Sequence, residues 1–494
     1  MLNGREYILT ADIGTTAVKA VLVDEKNRAA ASESIEINTF SDKGFTEQDA
    51  YEWYSAFIKA CREVLKKAGD GRVTAVSFSG QMQDAIILGA DGLPLRRVIL
   101  YSDARAEAEA EEICSLLGRD SIEYLSGNHF DGSIPFSKLL WIKKYEPGVF
   151  SAIRTVLFSA KDYIILKLTG KPVTDTVTAG TTGLMDIEKK TWADSFLKKT
   201  GIDPIILPEL KYPHEEAGRV IDKASKESAL PSGIPVFTGT GDAGATTLAS
   251  GISKPGEYNI NLGTSGWVAC LSDSVKRNSA VFNLSSVTPG KYINVTPFFN
   301  AGNVHKWVSG MLSKDSEQDR KYEYISELLS TSVPGSNGVL FLPYLLGERY
   351  PVSDPLIRGA FIGISQNTSK QDIARSCLEG VAFSLKEGFK DELNSISLIG
   401  GGAGESVWCR IFADILDHEV FVFKNAEFMP SIAVAAIARF GRGEIENYDE
   451  FLHDLKSSDE CELFYPDPEA VKIMQRSYER FKEIYPAIKK IPPE

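Results

Sequence analysis

The chain of 494 residues carries 54 Lys and Arg against 67 Asp and Glu, a net charge of -13 with a pI near 5.2. Phosphate backbones reward stripes of Lys and Arg, and none is visible here, so nucleic acid is excluded as a partner. A composition of 43% hydrophobic and 24% charged residues is that of a globular protein, and the length predicts roughly two to four domains of about 100 to 200 residues.

The longest apolar run, residues 339–346, is interrupted by Pro343 and falls short of the ~18 residues of a membrane span, so no membrane is expected either. Polar Asn3, Gly4, Arg5 and Glu6 precede the first strand, and no signal peptide is read there. Six scattered cysteines (Cys61, Cys114, Cys270, Cys377, Cys409, Cys461), without a Cys-x-x-Cys pair, read as reduced thiols of a cytoplasmic protein with no zinc site. The five histidines are isolated from one another, which disfavours a histidine nucleophile or metal cluster.

Strand-like alternation at residues 7–10 and 18–23 brackets a turn, Ala11-Asp12-Ile13-Gly14-Thr15-Thr16. A helix is predicted to start at Thr46-Glu47-Gln48-Asp49, with Thr46 and Asp49 as a capping box and Trp53, Phe57, Cys61 and Val64 at helical spacing. A strand over 73–78 ends at Ser79-Gly80-Gln81-Met82-Gln83-Asp84, and a shorter one over 85–88 leads into the hairpin turn Ala90-Asp91-Gly92. A strand over 236–238 enters Gly239-Thr240-Gly241-Asp242-Ala243-Gly244-Ala245 and a small-residue helix over 243–251. Pro255-Gly256 marks a boundary. It divides the chain into an N-terminal lobe, 1–253, and a C-terminal lobe, 254–494.

Immediately beyond that boundary the opening phrase returns as Ile260-Asn261-Leu262-Gly263-Thr264-Ser265, again between strand-like runs, 257–260 and 267–271. Asp12 and Asn261 are 249 residues apart, about half the chain. A strand, a tight turn of glycine and hydroxyl residues and a returning strand direct backbone N–H groups into one concavity, which suits phosphate. Two such cradles on two related halves imply a polyphosphate held between lobes. Later, Thr368 and Gln371 read as a capping box, and a strand over 395–399 breaks at Gly400-Gly401-Gly402-Ala403-Gly404 before a helix from about 405 to 416. Strand, glycine run and helix start are again a place for a nucleotide.

Phosphoryl transfer to a hydroxyl needs donors around the phosphate, a metal and a base. Gly14, Thr15, Thr16, Gly263, Thr264 and Ser265 supply the cradles, and Asp12 can hold hydrated magnesium through water. Its counterpart Asn261 is neutral, so a single metal site is expected from the first lobe. Lys19 reads as a solvated strand lysine. Asp242 is the best base, because glycines flank it where backbone and ligand could approach closely. Gln81, Met82, Gln83 and Asp84 could grip a polyhydroxylated substrate, and Gly401, Gly402 and Ala403 would let adenine and ribose lie against the backbone.

These segments, with Tyr101-Ser102-Asp103-Ala104-Arg105, Gly347-Glu348-Arg349, Leu378-Glu379-Gly380-Val381-Ala382-Phe383 and the runs quoted above, occur in order from about residue 7 to about residue 440. Together they resemble the FGGY family of carbohydrate kinases, and within it the xylulokinases most. The resemblance implies an α/β fold of two actin-like, ribonuclease H-like lobes related by internal duplication, with ATP in the cleft and magnesium as cofactor. It also implies Asp242 as base, ATP contacts at Thr264, Gly302, Gly402 and Ser406, and substrate contacts that include Asp103. The partner expected is a small-molecule sugar, most simply a ketopentose, with a homodimer as a compatible assembly. Xylulokinases usually carry His after Gly-Gln-Met, and this chain has Gln83 followed by Asp84. That leaves another ketose, a polyol or an aldonate as alternative acceptors. An actin-like or chaperone-like ATPase and a sugar sensor are the competing classes.

Overall fold

A computed structural model describes residues 5–69, 71–277, 280–313, 319–390, 392–424, 426–458 and 460–491. Both copies of the repeated phrase are hairpin turns: Glu6–Ile13 pairs antiparallel with Ala17–Asp24, and Glu257–Leu262 with Gly266–Ser272. In the first sheet Ala29–Glu36 lies outside Ala17–Asp24. On the other side Arg72–Gly80 runs parallel to Glu6–Ile13, followed by parallel Pro235–Phe237 and antiparallel Glu216–Arg219. The second sheet has Tyr292–Phe298 outside Gly266–Ser272, then Ser395–Ile399 parallel to Glu257–Leu262, parallel Val420–Phe423 and antiparallel Cys461–Phe464. The four central strands therefore share one order and one set of directions in the two sheets; beyond them the antiparallel edge strand precedes its inner neighbour in the chain in the first sheet and follows it in the second, and Phe282–Ser285 is added at the other edge of the second. The repeated phrase marks a duplication of topology.

Helices cover these sheets because their apolar residues recur at helical spacing. Ala50–Lys67 buries Trp53, Phe57, Ala60, Cys61 and Val64 along one stripe. Its cap is Asp49, which accepts from the Tyr51 N–H at 2.9 Å, and Thr46 belongs instead to the strand Phe45–Gln48. The physical reason is distant in sequence: the Thr46 N–H donates to Asp103 at 2.6 Å and its carbonyl accepts from Leu100 at 3.1 Å, which keeps the segment extended. The second capping box is also displaced. Ser369 and Asp372 close it around Lys370–Lys386, while the Thr368 hydroxyl accepts from the Ser365 N–H at 2.9 Å and completes the preceding turn.

One helix links the halves. Met429–Gly441 is apolar on all sides, with Ala433, Ala435, Ala436 and Ala438 fully buried. It packs against the helix Asp242–Ala249 and Phe421 on one side, and against Ile8, Ala75 and Phe237 of the first sheet on the other. Small side chains let it approach both. Arg439 donates to the Asp24 carbonyl at 2.8 Å and Arg442 to the Thr74 hydroxyl at 2.8 Å, pinning the helix across the first sheet. Lys19 shares in this contact, 3.9 Å from the Glu427 carboxylate and 5.5 Å from the Phe428 ring centre, so it is engaged across the halves and not simply solvated. Among the described residues no helix is long and apolar enough to cross a membrane.

Candidate active site

Register brings the two key aspartates to one end of the first sheet. Asp12 lies beside Ser79 on the neighbouring parallel strand, and Thr240 and Gly241 lie beside Ser79 and Gly80 on its other side. Asp12 and Asp242 thus both leave the sheet at the carboxyl ends of strands that flank Arg72–Gly80 and run parallel to it, where open α/β sheets place their ligands. Asp12 accepts a hydrogen bond from the Ser79 hydroxyl at 2.7 Å. Burial raises its pKa against the opposing effects of that hydrogen bond and of Lys19.

Asp242 begins the helix Asp242–Ala249. Water reaches its carboxylate through the cleft, yet surrounding protein holds much of the solvent off. That desolvation, and then the charge of Asp12, push its pKa up to about 7, against the Ala243 N–H that donates to it at 2.7 Å. The flanking glycines have a different origin from the one expected. A Cβ on Gly241 would collide with the Met82 side chain, and one on Gly239, at φ 64°, would collide with the Phe78 carbonyl. These glycines admit protein, not ligand, and Met82 packs directly under the backbone that carries Asp242.

Met82, Gln83 and Asp242 line one cavity of about 240 Å³, closed on the far side by Trp267, Phe282 and Asn259 of the second lobe. Gln81 and Asp103 do not line it. The Gln81 side chain is buried: its oxygen accepts from the Thr15 hydroxyl at 2.9 Å and its nitrogen donates to Gln48 at 2.9 Å. Gln48 in turn donates to the Thr15 carbonyl at 2.6 Å and accepts from Trp53 at 3.0 Å. Gln81 therefore braces the first cradle. Asp103 is fully buried and its carboxylate is occupied by Arg105 and the Thr46 N–H. Burial alone would raise its pKa, but the Arg105 hydrogen bonds hold it below the ordinary value. Neither faces this cavity: Gln81 is engaged by Thr15 and Gln48, far along the chain, and Asp103 by Arg105, two residues on, and by the distant Thr46 N–H.

A buried charge triad supports the helix that leads to Thr181 in this cavity's wall. Lys161 lies 2.7 Å from Asp162 and 2.8 Å from Asp175, all three fully buried. Asp175 also caps the helix Thr176–Ala179 through the Val177 and Thr178 N–H groups. That helix leads to Thr181, whose carbonyl meets Gln83. Removing one member would strand charge in the core, at roughly 3–5 kcal/mol.

The second cradle opens into a larger cavity of about 640 Å³. Its wall joins Gly263 and Thr264 to Gly302 and to Gly401 and Gly402, residues drawn from three separate stretches of chain. The Gly302 N–H donates to the Gly263 carbonyl at 2.7 Å and the Asn303 N–H to Thr264 at 3.0 Å, so the turn and the helix Gly302–Leu312 are fastened together. Glu348 anchors the approach to that helix: it accepts from the Phe299 N–H at 2.8 Å and from Asn300 at 3.1 Å. Gly400, at φ 86°, lies so close to Asn261 that any side chain would collide. At the tips of the turns Thr16, Thr264 and Ser265 are exposed, while Gly14 is half-buried and its N–H closes the first turn on Ala17 at 3.1 Å.

Ala403 is buried toward the core, where Cys409 contacts its carbonyl, and Ser406 is exposed at the start of the helix Ser406–Leu416; neither lines the cavity. Residues not singled out from the sequence take their place: His305, Tyr322, Ser326 and Glu405. Ser326 hydrogen-bonds the Glu405 carboxylate, which also caps the helix at the Val407 N–H, 3.1 Å away. The Nε2 of His305 is buried without a hydrogen-bond partner among the described residues, and burial lowers the imidazole's pKa although Glu405 opposes this. Glu405 was detectable as the polar residue between a glycine run and an apolar helix. His305 was not, because its ring is held by Tyr322 and Trp408, remote in sequence.

The cavity has the room and the unmet polar demand for an adenine nucleotide. A Cβ on Gly401 or Gly404 would meet nothing within 4 Å, so open space faces both, and His305 offers an unpaired ring nitrogen. Gly401→Val should therefore fold with an unchanged melting temperature while raising the KM for ATP by about tenfold, equal to 1.4 kcal/mol of lost binding. Steady-state kinetics at saturating acceptor measure this, and an unchanged KM would remove Gly401 from the nucleotide wall.

Duplicated mixed α/β lobes that join a small acid-bearing cavity to a larger glycine-walled one define a two-lobed phosphotransferase. Comparison with known proteins makes the class specific. Residues 7–249 match the N-terminal domain and residues 258–433 the C-terminal domain of the FGGY family of carbohydrate kinases, and the chain belongs to that family. It is a sugar kinase, which replaces the actin-like or chaperone-like ATPase as a reading. It is 31% identical to the xylulose kinase of Staphylococcus epidermidis over 500 aligned positions, covering 99% of this chain and 98% of that protein. The crystal structure of a ligand-bound xylulose kinase from Lactobacillus acidophilus superposes with a TM-score of 0.85 at 26% identity, covering 98% of this chain and 99% of that one. A gluconate kinase from the same organism superposes almost as well, with a TM-score of 0.84 at 26% identity, covering 98% of each chain.

Proposed function

We propose that the chain transfers the γ-phosphoryl group of ATP to a terminal hydroxyl of a small neutral ketose, with D-xylulose as the first candidate. Residues 1–253 supply the acceptor cavity and the first cradle, and residues 254–494 the second cradle and the adenosine cavity. Asp242 accepts the proton of the attacking hydroxyl. The place of Asp242 in the lining of the acceptor cavity, at the same end of the first sheet as Asp12, is the observation that carries the assignment; a base with a pKa near the working pH serves that step well, since it is both available and able to hold the proton, and the shift of Asp242 up to about 7 agrees with it.

The cradle residues Gly14, Thr15 and Thr16 face phosphate from the first lobe, and Gly263, Thr264 and Ser265 from the second. Bound magnesium would neutralise charge on the phosphates. Asp12 has one oxygen on Ser79 and the other free of any protein hydrogen bond among the described residues, which suits a hydrated ion held through water. Holding the acceptor between Asp242 and the lobes also excludes the water that competes for the phosphoryl group.

The choice of a neutral acceptor rests on the lining of the smaller cavity. None of the described residues around it is cationic, and Asp242 is acidic. An aldonate would set its carboxylate against that carboxylate with nothing to pair it. The cavity of about 240 Å³ also lies below the usual range for drug-sized ligands, consistent with a compact acceptor. ADP release measured across pentuloses, hexuloses, pentitols and aldonates tests this. The expected result is a neutral ketose with kcat/KM about 100-fold or more above gluconate, a difference of roughly 2.7 kcal/mol. A preference for gluconate would overturn it.

A further inference from the structure

Gln83 has a backbone φ of 62°, a left-handed conformation that crowding between Cβ and the carbonyl disfavours in all but glycine and a few polar residues. Its carbonyl is held. Lys138 Nζ donates to it at 3.0 Å and to the Leu100 carbonyl at 2.7 Å. The next residue, Asp84, accepts from the Tyr101 N–H at 3.3 Å, and its other carboxylate oxygen has no hydrogen-bond partner among the described residues. Lys138 and Asp84 are both fully buried. Two ties therefore join residues 83–84 to residues 100–101, one through a cation and one through an anion.

The charges make sense only together. Burial lowers the pKa of Lys138 to about 8 and drives that of Asp84 well above its ordinary value, and in each case the partner's charge opposes the shift. A lone ammonium or a lone carboxylate here would be costly. On the other side of the same backbone the Gln83 side chain faces the acceptor cavity. Its Nε2 reaches only the Thr181 carbonyl, at 3.4 Å, and its Oε1 makes no hydrogen bond among the described residues. The amide is therefore available to a ligand while the backbone beneath it is clamped.

We propose that Asp84 and Lys138 are positioning residues that hold Gln83 left-handed, so that its amide meets the acceptor sugar as a fixed donor and acceptor of hydrogen bonds. This rests on reading the smaller cavity as the acceptor site. It deepens that reading in one respect: Lys138, fully buried beneath Gln83 and donating to two backbone carbonyls, does not line the cavity where an anionic substrate would meet it. A fixed amide discriminates hydroxyl orientation, which a freely turning one cannot do.

The test uses the full chain and the neutral ketose that the wild type turns over best. Lys138→Met and Gln83→Ala should each raise the acceptor KM about tenfold, with the KM for ATP within twofold of wild type. The double variant should be no worse than Gln83→Ala alone, because both act through one amide. Lys138→Met leaves Asp84 without its counter-charge, so Lys138→Met with Asp84→Asn, which removes both charges, is measured beside it. An unchanged acceptor KM in that pair, or full multiplication of the effects with Gln83→Ala, overturns the positioning role. Failure of the wild type to phosphorylate any neutral ketose would remove the acceptor reading, and this inference with it. Normal turnover without the KM split would remove only the inference.

Discussion

Asp242→Asn is expected to lower kcat about 1,000-fold, within the 100- to 10,000-fold range of general acid–base catalysis, and to leave ATP affinity within twofold. The amide keeps the shape of the side chain and cannot take the proton. In the wild type kcat/KM should rise with pH and level off above about 7, as the carboxylate becomes ionised. The same shift has a consequence for stability. A carboxyl whose pKa is raised on folding stabilises the native state at low pH, and this contribution is lost as pH rises from about 4 through about 7. Asp242→Asn lacks that loss, so its melting temperature relative to wild type should be higher at pH 8 than at pH 5. Calorimetric ATP titration, initial rates and melts at the two pH values measure all three. Turnover near the wild-type rate would end the assignment of Asp242 as base, and equal melting differences at both pH values would contradict its raised pKa.

The parts of this architecture that were legible in the sequence are those whose chemistry is local. A turn such as Gly14-Thr15-Thr16 is determined by residues within reach of one another, and its repetition at Gly263-Thr264-Ser265 disclosed a duplication that the order of the four central strands bears out. The glycine run after Ser395–Ile399 likewise announces its own break. Helix starts were placed a few residues off where a distant group competed for the capping residue, as Asp103 and Leu100 do for the Thr46 backbone. The same cause redirected Gln81 and Asp103. Each is a polar residue beside the expected site; Gln81 is engaged by Thr15 and Gln48, which no local pattern could supply, and Asp103 by the equally distant Thr46 N–H together with Arg105, two residues on.

The helix Met429–Gly441 shows the converse. Its run of alanines is visible in the sequence, but alanines do not say which surfaces they approach, and here they approach two. The lysine pair makes the point for charge. Lys138 and Lys161 look like ordinary helix lysines at 138 and 161, yet both are fully buried, one beneath Gln83 and the other bridging Asp162 and Asp175. Sequence reasoning locates the residues that touch ligand more readily than those that hold them in place. The holding contacts are long-range by nature.

Replacing Asp12 by Asn separates a metal-binding aspartate from one that merely shapes its turn. Asn is nearly isosteric and can still accept from the Ser79 hydroxyl, so the hairpin should survive and the melting temperature should change little. The negative charge is lost. If Asp12 holds hydrated magnesium at the phosphates, kcat should fall about 100-fold, in the range found when one preorganised charge-stabilising group is removed, and the magnesium concentration for half-maximal rate should rise about tenfold. A third readout is independent of the metal. Asp12 is the charge that helps push Asp242 up, so in Asp12→Asn the acid limb of the residual kcat/KM should move below 7, though only in part, because burial is the larger cause and remains. A turn-shaping residue would leave the magnesium dependence unchanged. A shifted limb with unchanged magnesium dependence would keep the electrostatic link between the two aspartates and refute Asp12 as the metal's carboxylate. The two lobes differ at this position, Asp12 in one and Asn261 in the other, and these measurements decide whether that difference makes the first cradle the charged half of the cleft.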